Sequence, residues 1–307
     1  MFFDATKRPR RTLAGSGFAP VGHVRGLSVN GFSEGDLFGV TINTIPLEKH
    51  KVTVGRRDRS IDFVGTHQGF FGAFRETTLI IQSEVKDAPI QINAIEYGDE
   101  VDPLMQMSAY EAYKWLRTLD DSLGNTKAIN ITFHKLGGAK GGDSAGVALA
   151  ASGYSAVKSI PVKASVAMTG SVRADGAVKG VGGVPQKVAG AFHANGVETV
   201  IVPLENEADL LFVPVEQLLH LTLIVSDRID TYLNYAMNWP SKDMTKEQTE
   251  AQETLRSVQL AQVLLSLGDR TSATSVLEAV AARHPEIYTA RRLLALLRKS
   301  NAPNSRL

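Results

Sequence analysis

The chain of 307 residues is long enough for about two domains of roughly 150 residues each. It contains no cysteine, which excludes disulfides, thiolate zinc sites, iron–sulfur clusters and a cysteine nucleophile. The formal net charge of +1 provides no overall field that would attract nucleic acid or an anionic membrane. The N-terminal sequence lacks a secretory pattern, and no apolar run is long enough to span a membrane. We therefore expect a cytoplasmic protein with no nucleic-acid or membrane partner.

The first part of the chain predicts mainly strands. Residues 1–18 are basic and contain glycine and serine, so we expect a flexible lead-in. A strand pattern begins at Val21, and short β-branched runs predict further strands at 37–42, 51–54, 78–82 and 90–92. Apolar residues at helical spacing then predict a helix over 105–118.

The middle of the chain predicts alternating strands and helices. Strands are expected at 129–133, 165–170, 176–178, 199–203 and 221–225, with 165–170 and 176–178 forming a pair. Helices are expected at 143–151, 184–195 and, with a turn, 206–219. The first of these helices contains small residues and should pack closely against another element. Pro185 suits the first position of the second helix, and Gly196 suits its C-cap.

Composition changes after Pro240. Residues 241–252 are polar and predict a linker or an exposed helix, and apolar spacing then predicts three helices. The pattern from 261 to 290 resembles one tetratricopeptide-type helix pair, which cannot bury its own apolar face. It must pack on the main domain, pair with another chain or cap the fold. We therefore divide the chain into a lead-in at 1–18, a main domain at 19–240 and a helical extension at 241–307.

Three glycine-rich patterns were compared with known motifs. The spacing of 137–142 suits a phosphate-binding loop, but Asp143 stands where lysine is required and would repel phosphate. Residues 180–182 begin a dinucleotide-like pattern, but Pro185 stands where the third glycine is required. Residues 142–146, GDSAG, match the G-x-S-x-G pattern of serine nucleophiles. Only the third pattern is satisfied.

Ser144 in this pattern allows two interpretations. The side chain of Asp143 or Ser144 would satisfy free N–H groups as the N-cap of the following helix. Alternatively, Ser144 is a nucleophile, and the first helical N–H groups, with the helix dipole behind them, stabilise an oxyanion. The pattern by itself does not decide between a cap and a nucleophile.

A serine nucleophile needs a base. His193 and His220 follow Ser144 in the order found in α/β-hydrolases, but one lies late in a predicted helix and the other between leucines. Lys187 lies in the first turn of its helix, where the dipole disfavours positive charge, and its neighbours three and four residues on are too small to pair with it. A lysine that is shielded from water in the first turn of a helix has a lowered pKa and can act as a general base. A surface lysine on an amphipathic helix is the alternative.

Four segments together resemble the proteolytic domain of Lon proteases. They are GGDSAGVALA at 141–150, VAMTG at 166–170, GAVKGVGGVPQKVAGA at 176–191 and VIVPLENEADL at 200–210. The similarity covers about 20–226 and includes an opening strand at 21–27 and a helix segment at 105–109. It implies an α+β fold related to the second domain of ribosomal protein S5, here over 19–240.

The resemblance also implies the roles of individual residues. Ser144 matches the nucleophile of the family and Lys187 its base, 43 positions apart as is usual for these proteins. Asp143 matches an aspartate that precedes the serine in the membrane-linked archaeal branch. Thr169 matches a threonine that would orient the lysine, and Gly142 and Ala145 would support the site through their backbone.

The sequence departs from the family at four positions. Ser171 stands where glutamate is common, Asn130 and Thr132 where bacterial members often have histidines, and Lys135 where an acidic residue is common. These changes bear on the conformation of the active loop and on substrate choice rather than on the dyad. The sequence also contains no Walker motif, so the ATPase of Lon proteins is missing from this chain.

We therefore predict an ATP-independent, Lon-like serine endopeptidase that cleaves unfolded proteins or peptides through an acyl-enzyme, without cofactor or metal. A homo-oligomer is expected, since family members commonly form six-subunit rings, and the C-terminal helices would dock a separate ATPase or adaptor. The alternative is a non-catalytic interaction module that binds a protein partner through this fold and these helices. A hydrolase that depends on His193 or His220 is the third hypothesis.

Overall fold

The computed structural model describes residues 20–29, 34–46, 63–67, 75–81, 90–95, 103–123, 127–134 and 142–301. Four features singled out in the sequence lie outside these ranges: the lead-in at 1–18, the strand predicted at 51–54, Lys135, and the glycine-rich turn at 137–141.

Helices first appear after the fifth strand in the described part of the chain. The strands are β1 His23–Val29, β2 Gly35–Pro46, β3 Phe63–His67, β4 Arg75–Ile81, β5 Ile90–Ile95, β6 Lys127–His134, β7 Val166–Met168, β8 Ser171–Val172, β9 Val178–Lys179, β10 Thr199–Pro203 and β11 Thr222–Ser226. β7, β8 and β9 follow one another without a helix between them. The strand predictions that fall on described residues are confirmed, with shifts of a few residues at their ends.

The predicted helices are present in the described part of the chain. The helices are α1 Pro103–Arg117, α2 Gly146–Lys158, α3 Val184–His193, α4 Val215–Leu218, α5 Ile229–Ala236, α6 Lys246–Ser266, α7 Arg270–Arg283 and α8 Tyr288–Asn301, with 3-10 turns at Leu204–Phe212 and Ser241–Asp243. α5 is an additional helix that the sequence did not indicate, and the helix and turn expected at 206–219 are a 3-10 turn followed by the short α4. α3 ends two residues earlier than predicted, and its C-cap is Ala194 rather than Gly196. Within the described ranges, no helix has the length and apolar character that crossing a membrane requires.

Among the described residues, nine strands form one mixed sheet in the order β11-β10-β7-β1-β2-β6-β5-β4-β3. β1 and β2 are antiparallel, whereas β7, β10 and β11 run parallel to one another. β8 and β9 form a separate antiparallel pair. The predicted pairing of 165–170 with 176–178 is therefore wrong for β7, because β7 lies between β1 and β10 and has no free edge for β9.

The helix after Ser144 packs as closely as its small residues predict. All residues of α2 from Gly146 to Gly153 are buried, and α2 packs on α1, β1 and β2. A Cβ atom placed on Gly146 would lie only 2.6 Å from the backbone nitrogen of Val172. The small side chains therefore allow the backbones of α2 and β8 to approach, which places the start of α2 beside the end of β7.

The C-terminal extension consists of three helices, as predicted, and residues 241–252 form a short turn followed by the start of α6. α6 begins with a capping box in which Thr245 and Gln248 exchange hydrogen bonds. α7 packs between α6 and α8, and both α6 and α8 contact β11. The extension thus packs on the main domain, while its likeness to a tetratricopeptide pair remains a prediction.

A short extended segment before α8 covers the outer edge of β11. Ile287 forms an antiparallel bridge with Ile224, and the N–H of Val225 donates to the carbonyl of Glu286 at 2.9 Å. β11 is the last strand on this side of the sheet, so these contacts pair backbone groups that an edge strand leaves open.

Thr289 completes this junction, and its replacement by valine is expected to destabilise the protein by about 2–3 kcal/mol. Its buried hydroxyl accepts from the N–H of Leu223 at 2.7 Å and donates to the carbonyl of Leu221 at 3.0 Å. Valine has the same shape but leaves both backbone groups without a partner. Urea unfolding would measure the effect, with Thr274→Val on exposed α7 as the control, expected to cost less than about 0.5 kcal/mol. Equal losses in both variants would contradict the role of Thr289.

Candidate active site

Ser144 lies in the turn between β6 and α2. The chain enters this turn through Gly142, whose φ of 93° is a conformation that suits glycine. α2 begins at Gly146 with Ala145 at the N-cap, and Ala145 makes no side-chain cap bond. The prediction that Asp143 or Ser144 is the N-cap is therefore wrong, because the helix begins later than the sequence indicates.

The first two N–H groups of α2 are already used. They donate to the carbonyls of Asp143 and Gly170, at 3.1 and 3.0 Å. They are therefore not available for the oxyanion that the sequence pattern assigned to them. Within the described residues, the N–H groups of Ser144 and Ala145 have no acceptor, so the free donors lie at the turn itself rather than in the helix.

Thr169 connects the turn of Ser144 to Lys187. Its hydroxyl donates to the carbonyl of Ser144 at 3.2 Å and accepts from the Nζ of Lys187 at 3.1 Å. Its backbone is fixed on both sides, since its N–H donates to the carbonyl of Ile201 and its carbonyl accepts from the hydroxyl of Tyr232. One rigid, fully buried threonine therefore holds both predicted dyad residues.

Lys187 lies in the first turn of α3. Its N–H donates to the carbonyl of Gly183, which stands at the N-cap with a φ of 70°, and Pro185 lies in the same turn as predicted. The Lys187 side chain is only 3% exposed, which excludes the surface-lysine alternative. Burial lowers the pKa of Lys187 to about 8, and the carboxylate of Asp143 opposes part of this lowering.

The site is supported by two further residues, to which the sequence did not assign a role. The hydroxyl of Ser108, on α1, donates to the carbonyl of Asp143 at 3.0 Å and so fixes the turn from the other side. Tyr232, on α5, holds Thr169. Ser108 falls in the helix segment 105–109 that resembles the family. Its small polar side chain in that segment was the one feature that could have pointed to a role at the site. Tyr232 lies beyond residues 20–226, which carry the resemblance noted in the sequence, and nothing in its sequence context points to the site.

The two histidines considered as bases lie away from the hydrogen bonds described for Ser144. His193 and His220 both pack beside Phe192, at ring centroid distances of 5.2 and 5.9 Å. The hydrogen bonds described for Ser144 run to Thr169 and Gly170 instead. Among the described residues, no group of three or more metal-ligating side chains could hold a metal ion.

Three of the four departures from the family pattern fall on described residues. Asn130 and Thr132 lie on β6, opposite Asn43 and Thr41 of β2. Ser171 is buried on β8, next to the glycine that follows Thr169. Their effect on substrate choice stays a prediction.

Comparison with known protein families shows to which family the chain belongs. The model of the Lon protease (S16) C-terminal proteolytic domain matches residues 44–239, which is more than half of the chain. The chain belongs to the Lon proteolytic domain family. The mixed sheet with packed helices agrees with the α+β fold expected for a Lon proteolytic domain.

Individual Lon proteases show the same similarity. The chain is 38% identical over 149 residues to the Lon protease of Nitratidesulfovibrio vulgaris, and 35% identical over 150 residues to that of Anaeromyxobacter dehalogenans. It is 31% identical over 198 residues to the Lon protease of Bacillus thuringiensis. These alignments cover 47%, 47% and 62% of this chain, but only 18%, 18% and 24% of the relatives. The similarity is thus confined to a small part of each Lon protease.

Proposed function

We propose that this chain is a Lon-like serine endopeptidase in which Ser144 is the nucleophile and Lys187 the general base. The observation that carries this proposal is the buried Lys187 amine, which shares the hydroxyl of Thr169 with the carbonyl of Ser144. A buried lysine with a pKa near 8 is neutral often enough at physiological pH to accept a proton. Membership of the Lon proteolytic domain family supports the same assignment.

The reaction follows from these groups. Neutral Lys187 accepts the proton of the Ser144 hydroxyl as the oxygen attacks the peptide carbonyl. The resulting oxyanion is stabilised by the N–H groups of Ser144 and Ala145, which have no acceptor among the described residues. Collapse breaks the C–N bond, and the Lys187 ammonium protonates the leaving amine. Water then attacks the ester and gives its proton to Lys187, the C–O bond to Ser144 breaks, and the Lys187 ammonium returns the proton to the Ser144 oxygen as the acid product leaves.

Asp143 is expected to set the pH at which this base works. Its carboxylate raises the pKa of Lys187, so Asp143→Asn should lower that pKa and move the acid limb of kcat/KM to lower pH. The measurement is kcat/KM for a fluorogenic peptide between pH 6 and 10. Asp175→Asn is the control, because Asp175 is exposed and its carboxylate binds the N–H of Ala177. An acid limb that stays in place or moves to higher pH in Asp143→Asn would contradict this role.

We also propose that cleavage requires no ATP and acts on unfolded proteins or peptides. Every group in the proposed steps lies between residues 142 and 187, and no step uses a nucleotide. The proposal includes a homo-oligomer, as is common in the family, and docking of a separate ATPase or adaptor on the C-terminal helices. That docking is supported by Leu260 and Val263 on α6 and Leu267 at its C-cap, which are each more than half exposed.

Covalent labelling tests the proposed function directly. A fluorophosphonate probe should label Ser144, identified by peptide mass spectrometry, and labelling should be lost in Lys187→Met. Casein and peptide hydrolysis should proceed equally with and without ATP and Mg²⁺. Absence of labelling in a folded protein would favour a non-catalytic interaction module, and a strict requirement for ATP would overturn the ATP-independent part.

A further inference from the structure

The loop of residues 179–183 leads directly into the first turn of α3, which carries Lys187. It joins β9 to α3 and contains three glycines. Beyond Lys179, which pairs with Ser171 of β8, its backbone is held by side chains of the 3-10 turn that follows β10. Besides the packing of α3 on β1 and β2, this turn is therefore an element that holds the chain leading to Lys187.

Asn206 holds the centre of the loop at two points. Its Oδ1 accepts from the N–H of Val181 at 2.8 Å, and its Nδ2 donates to the carbonyl of the same residue at 2.9 Å. The second hydrogen on Nδ2 donates to the carboxylate of Asp209 at 2.7 Å. All three partners require the same orientation of the amide, and Asn206 is only 8% exposed. The side chain is thus a preorganised clamp for both backbone groups of one residue, Val181.

Glu205 holds the preceding residue of the same loop. Its Oε2 accepts from the N–H of Gly180 at 2.7 Å, and its Oε1 accepts from the Nζ of Lys179 at 3.1 Å. Glu205 and Asn206 together therefore bind three successive residues of the loop. Glu205 is half exposed, so its contribution should be smaller than that of the buried amide.

The clamp connects Lys187 to the strand that holds its partner. Asn206 stands five residues after Ile201 of β10, and Ile201 accepts the N–H of Thr169. The loop held by Asn206 ends at Gly183, whose carbonyl accepts the N–H of Lys187. A displaced loop would move Lys187 relative to Thr169, while Thr169 itself stays fixed on the sheet.

We propose that Asn206, assisted by Glu205, is a positioning residue that keeps the amine of Lys187 on Thr169 and beside the turn of Ser144. This inference rests on the proposed serine–lysine chemistry. A structural role alone would lower stability and leave the folded enzyme with its normal kinetics. A positioning role changes the chemistry of the folded enzyme, because small displacements of a reacting group are costly.

The test compares Asn206→Ala with Glu207→Ala. Glu207 is the adjacent residue on the same turn, but its carboxylate binds Arg291 of α8 instead of the loop. In Asn206→Ala, kcat per labelled active site should fall about 10- to 100-fold with KM changed less than about threefold. The acid limb should move to higher pH, because a less sheltered Lys187 regains its ordinary pKa. Glu207→Ala should keep the kcat and acid limb of the wild type.

A second measurement requires no turnover. Lysine ¹³Cε signals, with Lys187 assigned through Lys187→Met, should show Lys187 titrating at higher pH in Asn206→Ala than in wild type. If Asn206→Ala does not fold, Glu205→Gln should show the same shift at smaller size. Unchanged titration and unchanged kcat in the folded variant would overturn the positioning role. Wild-type protein without Ser144-dependent turnover would overturn the proposed function, and the titration would then decide the role of Asn206 by itself.

Discussion

Replacing Ser144 by alanine is expected to lower kcat/KM for peptide cleavage by about 10⁴-fold or more, because the attacking oxygen is removed. The variant should fold normally. The hydrogen bonds that hold this turn use the carbonyl of Ser144, which accepts from Thr169 and Gly170, and alanine keeps that carbonyl. The measurement is hydrolysis of a fluorogenic peptide, with urea unfolding to show that stability is retained.

The matched control is Ser266→Ala. Ser266 is exposed at the end of α6, and its hydroxyl donates only to the carbonyl of Val263 within the helix. Its replacement should leave kcat/KM within about twofold of wild type. Undiminished cleavage by Ser144→Ala, purified in the same way, would show that another nucleophile or another protein is responsible and would overturn the proposed mechanism.

Replacing Lys187 by methionine is expected to abolish cleavage and at the same time to stabilise the protein. The folded chain releases the Lys187 proton near pH 8, whereas an unfolded lysine holds it until about 10.5. At pH 7 this difference corresponds to a cost of about 3 kcal/mol for keeping the amine buried. Methionine fills a similar volume without that cost but loses the bond to Thr169, so we expect a gain of about 1–3 kcal/mol.

The sign of the pH dependence follows from the same difference. Between about pH 8 and 10.5 the unfolded state binds more protons than the folded state, so the free energy of unfolding should rise with pH. Lys187→Met should lose part of that rise. Urea unfolding at pH 7 and 9.5 measures both effects, and a variant that is less stable than wild type at pH 7 would contradict this account of Lys187.

Lys163 provides a matched control for the buried amine. Burial lowers its pKa to about 8 as well, but its Nζ binds the carbonyl of Tyr235 and the side chain of Gln252, away from Ser144. Lys163→Met should therefore keep its turnover while also losing part of the pH-dependent stability. Loss of cleavage in Lys163→Met equal to that in Lys187→Met would mean that any buried lysine is needed for the fold, and not Lys187 for the chemistry.

The sequence predicted the elements around the site better than their contacts. Short β-branched runs and helical spacing identify β10, α2 and α3 because these elements are continuous and strongly patterned. The cap of α2 could not be predicted, because the N–H of Val147 donates to the carbonyl of Gly170, which is distant in sequence. The pairing of β8 with β9 was missed for a related reason, since β7 is occupied on both sides by strands from other parts of the chain.

For the site residues as well, the sequence indicated the residues themselves better than their contacts. The dipole argument singled out Lys187, but its burial results from packing that no local pattern contains. Thr169 was expected from the resemblance, and the structure shows the contact with Lys187 that the expectation required. Tyr232 and Asn206 bind backbone groups of other segments, so their residue types gave no signal of these partners, although Asn206 lies within the family-like segment 200–210.

The segment before α8 that covers β11 also limits how copies of this chain can associate. A sheet with two open edges can add strands at both and grow into an unlimited polymer. The bridge between Ile287 and Ile224 occupies the β11 edge within the chain itself, so that among the described residues the edge of the nine-stranded sheet that remains is the one at β3. Strand addition at that single edge of this sheet would join two copies. A ring of six subunits would have to be built from helix and loop surfaces, and its subunits would stay separate as sheets.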